Sequence, residues 1–191
     1  MIVCVFAASS SRVRDEYNEA ASRLGSLLAK AGMDVAFGGG GIGLMGKLAD
    51  AVLENGGRIT GVIPSFMEQE GWGHKGISQM IVTPDMSERK KKLFAMSDAV
   101  VALPGGVGTL EELTEAITLK QLSLFDGPVV VLNTLGFYDS LFRFFDTMVE
   151  SNFLRKEHKG IWEIANTPED VIIALSNKNR GNEEWRKIAK I

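Results

Sequence analysis

The feature that most constrains this chain is a regular alternation of short apolar runs with longer amphipathic stretches. Such runs predict the buried strands of a parallel sheet, and the stretches between them predict helices that cover its faces. The predicted strands span residues 2–7, 33–37, 58–63, 80–83, 99–103 and 128–132, and the predicted helices span 14–30, 44–54, 86–96, 110–122 and 138–150. A further short run at 161–165 precedes Pro168, which suits a helix start. Right-handed crossovers favour an α/β fold, namely a Rossmann-like, doubly wound parallel sheet in three αβα layers.

Length, charge and cysteine content restrict the classes of function. The 191 residues suit one domain spanning 1–191, of which only the tail from about 178 is expected to be peripheral. A net charge of −3 gives no reason to expect nucleic acid or an anionic membrane as a partner. The apolar N-terminal run is too short to span a bilayer. Cys4 is the only cysteine, which predicts no disulfide framework and fits a reducing, cytoplasmic location.

Three loops of small residues follow predicted strands. They read AASSS at 7–11, GGGGIGLMG at 38–46 and PGGVGT at 104–109. Ligands of open α/β sheets bind beyond the carboxyl ends of the strands, where bare N–H groups at helix starts hold anions. The loops therefore predict a phosphate site. The second loop contains GxGxxG, but the next strand ends in Ile63-Pro64-Ser65 without an acidic residue for a ribose hydroxyl, which favours a mononucleotide over NAD(P).

Two charged side chains near helix starts are candidates for chemistry. Asp85 and Glu88 have the spacing of a capping box, so Arg89 falls in the first turns of a helix, where the dipole disfavours a cation. A bound anion would offset that cost, and the planar guanidinium of Arg89 suits a phosphate or two ribose hydroxyls. Glu112 follows the third loop. Its spacing from Thr109 also suits a capping interaction, so the residues alone leave structure and chemistry equally open.

In combination, these motifs resemble the LOG ("lonely guy") family of cytokinin riboside 5′-monophosphate phosphoribohydrolases. The family motif PGGxGTxxE is matched in full at 104–112, its MxxRK element at 86–90, and its glycine motif, shifted by one glycine, at 38–46. The resemblance runs from residue 2 to about 175. It implies hydrolysis of the N-glycosidic bond of an N6-modified AMP to free base and ribose 5-phosphate. It also implies a homodimer or a larger homo-oligomer.

The resemblance assigns the family's catalytic pair to Arg89 and Glu112. Its substrate-binding residues fall on Ser9, Gly40, Met86, Lys90, Gly105, Gly106, Val107, Gly108, Thr109, Leu110, Glu111 and Thr118. We expect the loop and the first N–H groups of its helix to hold the phosphate. Glu112 is then expected to face the ribose, and Glu111 to turn its side chain to solvent. Neither a metal nor a cofactor is expected, and both histidines, His74 and His158, are expected at the surface.

Two residues depart from the family pattern: the first bears on backbone access to the ligand, and the second leaves open which base the substrate carries. Ala8 stands where the first loop commonly has glycine, and Leu119 stands where a tryptophan is common after the catalytic helix. The alternatives are a nucleosidase for AMP or another purine monophosphate, a non-catalytic nucleotide or cofactor carrier with a similar loop, and an NAD(P) enzyme. The label "lysine decarboxylase", which some members carry, finds no support, because no lysine lies in a recognisable pyridoxal-phosphate setting.

Overall fold

A computed structural model describes residues 1–77, 79–177, 185 and 188. The strands are β1 Ile2–Phe6, β2 Asp34–Phe37, β3 Ile59–Pro64, β4 Gln79–Thr83, β5 Ala99–Ala102, β6 Val129–Leu132 and β7 Trp162–Ala165. The α-helices are α1 Asp15–Lys30, α2 Gly43–Glu54, α3 Ser65–Gln69, α4 Met86–Ala95, α5 Val107–Gln121, α6 Asp139–Glu150 and α7 Pro168–Ser176. Two short 3-10 helices lie at Thr134–Gly136 and Lys156–Gly160. None of the described helices is long and apolar enough to cross a membrane.

All seven strands join one parallel sheet in the order β4-β3-β2-β1-β5-β6-β7. The chain first builds outward from β1 to β4 and then returns to the other side of β1 with β5. Strand order therefore reverses between β1 and β5, and this reversal opens a crevice at the carboxyl ends of these two strands. The predicted Rossmann-like, doubly wound fold is confirmed.

Alternate side chains of each central strand enter two different cores. In β1, Val3 and Val5 pack with α1, α2 and α7, whereas Cys4 and Phe6 pack with α4, α5 and α6. This alternation is the period of two that a strand imposes on its side chains. Helices therefore cover both faces of the sheet, and the predicted three-layer αβα arrangement is confirmed.

The helix that follows the third glycine loop begins earlier than the sequence predicts. We expected the helix to begin at residue 110. Instead, α5 begins at Val107, and the preceding residue, Gly106, is the N-cap, with an extended backbone (φ −85°, ψ −161°). Thr109 and Glu112 consequently both lie inside the helix, and no capping hydrogen bond joins them. The capping interpretation of Glu112 is wrong. By contrast, Asp85 is the N-cap of α4, where its carboxylate accepts a hydrogen bond from the backbone N–H of Glu88 at 2.8 Å.

The two histidines are not where the sequence predicted them. His158 is 2% exposed, because the 3-10 helix Lys156–Gly160 packs under the ring of Trp185, whose centroid lies 6.4 Å from that of His158. The His74 side chain is also largely covered, and its Nε2 lies 3.1 Å from Oδ1 of Asp50. The surface expectation was therefore wrong for both. Apart from residues 185 and 188, the predicted peripheral tail lies outside the described residues.

Candidate active site

A cavity of about 550 Å³ opens where strand order reverses, at the carboxyl ends of β1, β2 and β5. All three small-residue loops contribute to its walls. The predicted site residues that line it are Ser9, Gly40, Met86, Arg89, Gly106, Gly108, Thr109, Glu111 and Glu112. The fold thus brings together both predicted catalytic residues and most of the predicted substrate contacts, although they come from four separate segments of the chain.

Five predicted contacts lie outside the residues that line this cavity: Lys90, Gly105, Val107, Leu110 and Thr118. Gly105 packs against the side chain of Thr109, and Val107 is 83% exposed. Thr118 lies on the outer face of α5, where its hydroxyl donates to the carbonyl oxygen of Thr114 at 2.8 Å. It is seven residues beyond Glu111, or ~10 Å along the helix axis.

The N-terminus of α5 forms one end of the cavity. Its first turn carries no acidic residue, and none of the described side chains caps it. The N–H groups of Val107, Gly108 and Thr109 therefore have no acceptor within the helix, and they add to the positive end of its dipole. Ser9 also lines the cavity. Bare N–H groups at a helix N-terminus are the kind of group that can bind an anion such as phosphate.

The GxGxxG segment has a structural role in its loop. Gly43 has a φ of 67°, and a side chain there would meet the carbonyl oxygen of Ser10 at 2.5 Å. Gly46 packs in the same way against the backbone of Gly41. Gly43 therefore allows the first two loops to pack against each other, and Gly46 allows the second loop to fold closely on itself, so both glycines have a structural reason that needs no dinucleotide.

A buried ion pair between α4 and α5 forms the chemical centre of the cavity. Nη1 of Arg89 donates to Oε1 of Glu112 at 2.8 Å, and Nε of Arg89 donates to the carbonyl oxygen of Val62 at 3.0 Å. The two side chains are only 8% and 9% exposed. Because Asp85 fixes the start of α4, Arg89 lies one turn into the helix and reaches the carboxyl end of β3.

Burial raises the pKa of the Glu112 carboxyl above its ordinary value. The guanidinium of Arg89 acts in the opposite direction, through its charge and its hydrogen bond, while Glu111 raises and Lys90 lowers the same pKa to a smaller extent. The carboxylate of Glu112 is therefore poorly solvated. A charge in such a position gains most when a cation develops next to it, because few water dipoles screen the attraction.

Lys90 is held by two carboxylates of α5. Its Nζ pairs with Glu111 and lies 2.7 Å from Oε2 of Glu115, and these pairs raise the pKa of the Lys90 ammonium. The side chain of Glu111 is 52% exposed. The expectation that Glu111 turns to solvent is thus met only in part, since its carboxylate also binds Lys90.

One wall of the cavity was not predicted from the sequence. The segment 65–76 forms α3 and a turn, and it returns across the second glycine loop through hydrogen bonds from Gly41 N–H to the Trp72 carbonyl and from His74 N–H to the Gly39 carbonyl. This places Met67 and Trp72 in the cavity wall. The only available signal was a set of large apolar residues in a stretch without helical or strand periodicity.

The fold and this cavity define a class: a Rossmann-like α/β protein in which an uncapped helix N-terminus and a buried arginine–glutamate pair share one cavity. Within the described residues, no group of three or more His, Cys, Asp or Glu side chains could hold a metal ion.

The chain belongs to the LOG family. The family model described as "Possible lysine decarboxylase" matches residues 45–175. The chain is 38% identical over 182 residues to a probable cytokinin riboside 5′-monophosphate phosphoribohydrolase of Oryza sativa subsp. japonica, covering 95% of this chain and 75% of that protein. It is 39% identical over 173 residues to a cytokinin riboside 5′-monophosphate phosphoribohydrolase of Arabidopsis thaliana, covering 91% and 80%.

A solved structure of a different kind of protein has the same fold. The molybdenum cofactor carrier protein of Chlamydomonas reinhardtii matches with a TM-score of 0.69 and 25% identity, covering 91% of this chain and 94% of that one. The fold therefore occurs both in proteins named as hydrolases and in a protein named as a carrier, so the side chains of the site must decide between these functions.

Proposed function

We propose that this protein hydrolyses the N-glycosidic bond of N6-modified adenosine 5′-monophosphates, such as cytokinin riboside 5′-monophosphates, giving the free base and ribose 5-phosphate. The observation that carries the proposal is the pairing of Arg89 with Glu112 inside the cavity, next to the uncapped N-terminus of α5. The named activity of the relatives is of the same kind.

The phosphate is proposed to bind at the N-terminus of α5. The backbone N–H groups from Gly106 to Thr109 would donate to it, with a hydroxyl contact from Ser9. A phosphate in this position places the ribose further along the cavity, towards Glu112, because the first turn of the helix separates the two ends of the site. On the same helix, the backbone N–H groups would thus bind the phosphate, and the carboxylate of Glu112 would face the ribose.

Glu112 is proposed to act on the ribose. Cleavage of a glycosidic bond passes through an oxocarbenium-like state with positive charge at C1′, which a carboxylate stabilises. Glu112 would also hold the ribose hydroxyls and orient or deprotonate the attacking water. The water oxygen bonds to C1′ as the bond from C1′ to the base nitrogen breaks, and the base leaves with that electron pair and a proton.

Arg89 is proposed to position the nucleotide and to assist the departure of the base by donating a hydrogen bond. Its Nε and Nη1 are engaged with Val62 and Glu112, so its guanidinium has one orientation in the cavity. Lys90 pairs with two carboxylates of α5. It is proposed to support substrate binding indirectly, by holding the start of that helix in place.

The apolar side of the cavity supports a base with an apolar substituent. Ile42, Met45, Met67, Trp72 and Met86 line it together. A flat aromatic ring and flexible methionine side chains suit a purine ring and an apolar N6 group. Plain AMP would leave part of this surface without a partner, so the modified nucleotide is proposed as the better substrate.

A substrate panel tests the proposal and separates it from its alternatives. Release of ribose 5-phosphate is measured from isopentenyl-AMP, AMP and the other purine monophosphates at equal concentration. We expect the highest kcat/KM with isopentenyl-AMP. A preference for AMP would identify a general nucleosidase. Nucleotide binding without turnover of any substrate would instead support a carrier, the function that the named structural relative suggests. An increase in Tm with NADP or NAD alone would support a dinucleotide enzyme.

We further propose that the protein works in the cytoplasm, on free nucleotides and as a homodimer or larger homo-oligomer. Several large apolar side chains are exposed on the side of α5 and α6: Leu122, Leu124, Phe144 and Phe153. Thr118 lies outside the cavity of its own chain, so it could contact a substrate only in the cavity of a neighbouring copy. Its predicted role in substrate binding therefore also supports an oligomer. The molar mass in solution tests this, and a fully active monomer would contradict it.

A further inference from the structure

Gly38 lies immediately after β2, buried in the wall of the cavity. A Cβ added there would meet Nη2 of Arg89 well inside 3.0 Å, a separation that real Cβ atoms essentially never show, and it would meet Sδ of Met45 at 3.2 Å. Gly38 is not among the described glycines with positive φ. A positive φ therefore does not exclude alanine, and the space that Arg89 occupies is the main obstacle to a side chain, with a smaller one from the flexible end of Met45.

The reason why glycine is needed at position 38 therefore differs from the reason at other positions of the same loop. Gly39 and Gly43 have φ values of 79° and 67°, so they serve backbone conformation. At Gly38 the neighbour is the end of a functional side chain. An ordinary arginine could move away from a methyl group at little cost, but Arg89 is fixed by hydrogen bonds to Val62 and Glu112.

The geometry of the guanidinium links this contact to the ion pair. Nη2 takes part in neither of those two hydrogen bonds, and it is the nitrogen that lies against Gly38. Because the guanidinium is planar and rigid, a methyl group that displaces Nη2 also displaces Nε and Nη1. The bonds to Val62 and Glu112 would then lengthen or break together.

We propose that Gly38 is a positioning residue for the reaction: its missing side chain provides the space in which Arg89 is held against Glu112. The proposal rests on the proposed function for its kinetic consequences, since Arg89 must matter for turnover. Its structural part, the steric coupling of residues 38 and 89, does not depend on any activity.

The kinetic test compares Gly38→Ala, Arg89→Ala and the double variant. We expect Gly38→Ala to lower kcat by about 10²-fold, the lower end of the effect of losing a positioned catalytic group. In the double variant, Gly38→Ala should add little to the effect of Arg89→Ala, because the side chain that it displaces is already gone. A wild-type kcat for Gly38→Ala, or multiplicative effects of the two substitutions, would overturn the proposal.

Gly25→Ala provides the matched control. A Cβ at Gly25, in α1, would lie 2.6 Å from the carbonyl oxygen of Leu48 in α2, and neither residue lines the cavity. This substitution should lower Tm while kcat per folded molecule stays at the wild-type level. A similar loss of kcat in Gly25→Ala would show that the effect at residue 38 is general destabilisation.

A stability cycle tests the coupling without any measurement of activity. Gly38→Ala should lower Tm by a few degrees in the wild-type background, because it separates a buried ion pair. The loss should disappear in the Arg89→Ala background, whereas the loss from Gly25→Ala should persist there. If wild-type protein turns over no nucleotide but the cycle is non-additive, the proposed function fails and the coupling stands. Equal losses from Gly38→Ala in both backgrounds would refute the coupling itself.

Discussion

An inner ion pair and two outer ion pairs that share Lys90 join the same two helices, and the inner and outer pairs differ in almost every physical respect. Arg89 and Lys90 are neighbours on α4, and Glu112 and Glu111 are neighbours on α5. Successive side chains on a helix point about 100° apart, so Arg89 and Glu112 are directed into the buried part of the cavity, while Lys90 and Glu111 lie nearer solvent. The Arg89–Glu112 pair is buried, whereas Lys90 pairs with Glu111 and Glu115 at the edge of solvent.

The pKa shifts of the two pairs have opposite meanings. The pKa of Lys90 is raised chiefly by hydrogen bonds to Glu111 and Glu115, so the protein favours the charged form of that side chain. The pKa of Glu112 is also raised, but chiefly by burial, so the protein disfavours its charged form even beside Arg89. The outer pairs therefore stabilise the folded chain, while the inner pair keeps a carboxylate in an unfavourable environment.

This difference supports the proposal that the inner pair takes part in the reaction and the outer pairs do not. A buried ion pair is weak evidence for stability, since desolvation of its charges offsets most of their attraction. Titratable groups whose pKa values are shifted by burial and a charged partner, inside a cleft, are typical of functional sites. The outer pairs, in contrast, hold α4 and α5 in register. Four predictions test this contrast, beginning with the largest effect.

Glu112→Gln should lower kcat by about 10²–10⁴-fold, because the amide can still bind the nucleotide but cannot stabilise a cation or accept a proton. Glu111→Gln is the matched control one residue earlier, and its kcat should stay within about threefold of wild type, as expected for an exposed pair. Release of ribose 5-phosphate and nucleotide binding are measured for both variants. Comparable losses of kcat in the two variants would remove the distinction between inner and outer pairs.

Two separate motifs contained the members of the inner pair, Arg89 in MxxRK and Glu112 in PGGxGTxxE, but neither could show that the two side chains pair with each other. Arg89 and Glu112 are 23 residues apart, on helices separated by β5. Their contact depends on how α4 and α5 pack against the sheet, which no local pattern records. The strands could be predicted because buried parallel strands are nearly continuous apolar runs, and each was predicted to within one or two residues.

The failures of prediction share a physical cause. The start of α5 depends on the backbone conformation of Gly106, and the burial of His158 depends on Trp185, which is distant in the sequence. The wall formed by 65–76 is held by backbone hydrogen bonds to the glycine loop, and backbone bonds have no side-chain signature. In each case, tertiary contacts determined what residue type and spacing left open.

The acid limb of the pH–rate profile should respond to the partner of Glu112. In the wild type, we expect kcat/KM to fall below a pH that lies above the ordinary glutamate pKa, because burial raises the pKa of Glu112. Arg89 lowers this pKa, so Arg89→Met should move the limb to higher pH as well as lower the rate. Lys90→Met should move it less, since Lys90 acts more weakly on Glu112. Identical limbs in all three proteins would exclude Glu112 as the titrating group.

The same shift predicts how stability depends on pH. A carboxyl whose pKa is higher in the folded than in the unfolded state contributes stability that is fully present below the unfolded pKa and is lost as pH rises through the folded pKa. The free energy of unfolding of the empty wild-type protein, relative to Glu112→Gln, should therefore decrease with rising pH across that window. An increase with pH would mean that Arg89 outweighs burial.

The smallest effect is expected for the outer pairs. Lys90→Met should lower the free energy of unfolding by at most about 1 kcal/mol, because both pairs are partly exposed and screened by water. Raising the salt concentration should reduce the difference from the wild type. With increasing alkalinity, the contribution of Lys90 should be fully present below the ordinary lysine pKa and should be lost as pH rises from there through its raised folded value.

Lys91→Met is the matched control for this last prediction. Lys91 pairs with Glu88 on its own helix and therefore does not join α4 to α5. If Lys90 holds the two helices in register, Lys90→Met should destabilise the protein more than Lys91→Met and should also raise KM, since the start of α5 carries the proposed phosphate site. Equal stabilities and equal KM values would show that the outer pairs neither hold the helices together nor support binding, leaving the buried pair as the connection between α4 and α5 that matters.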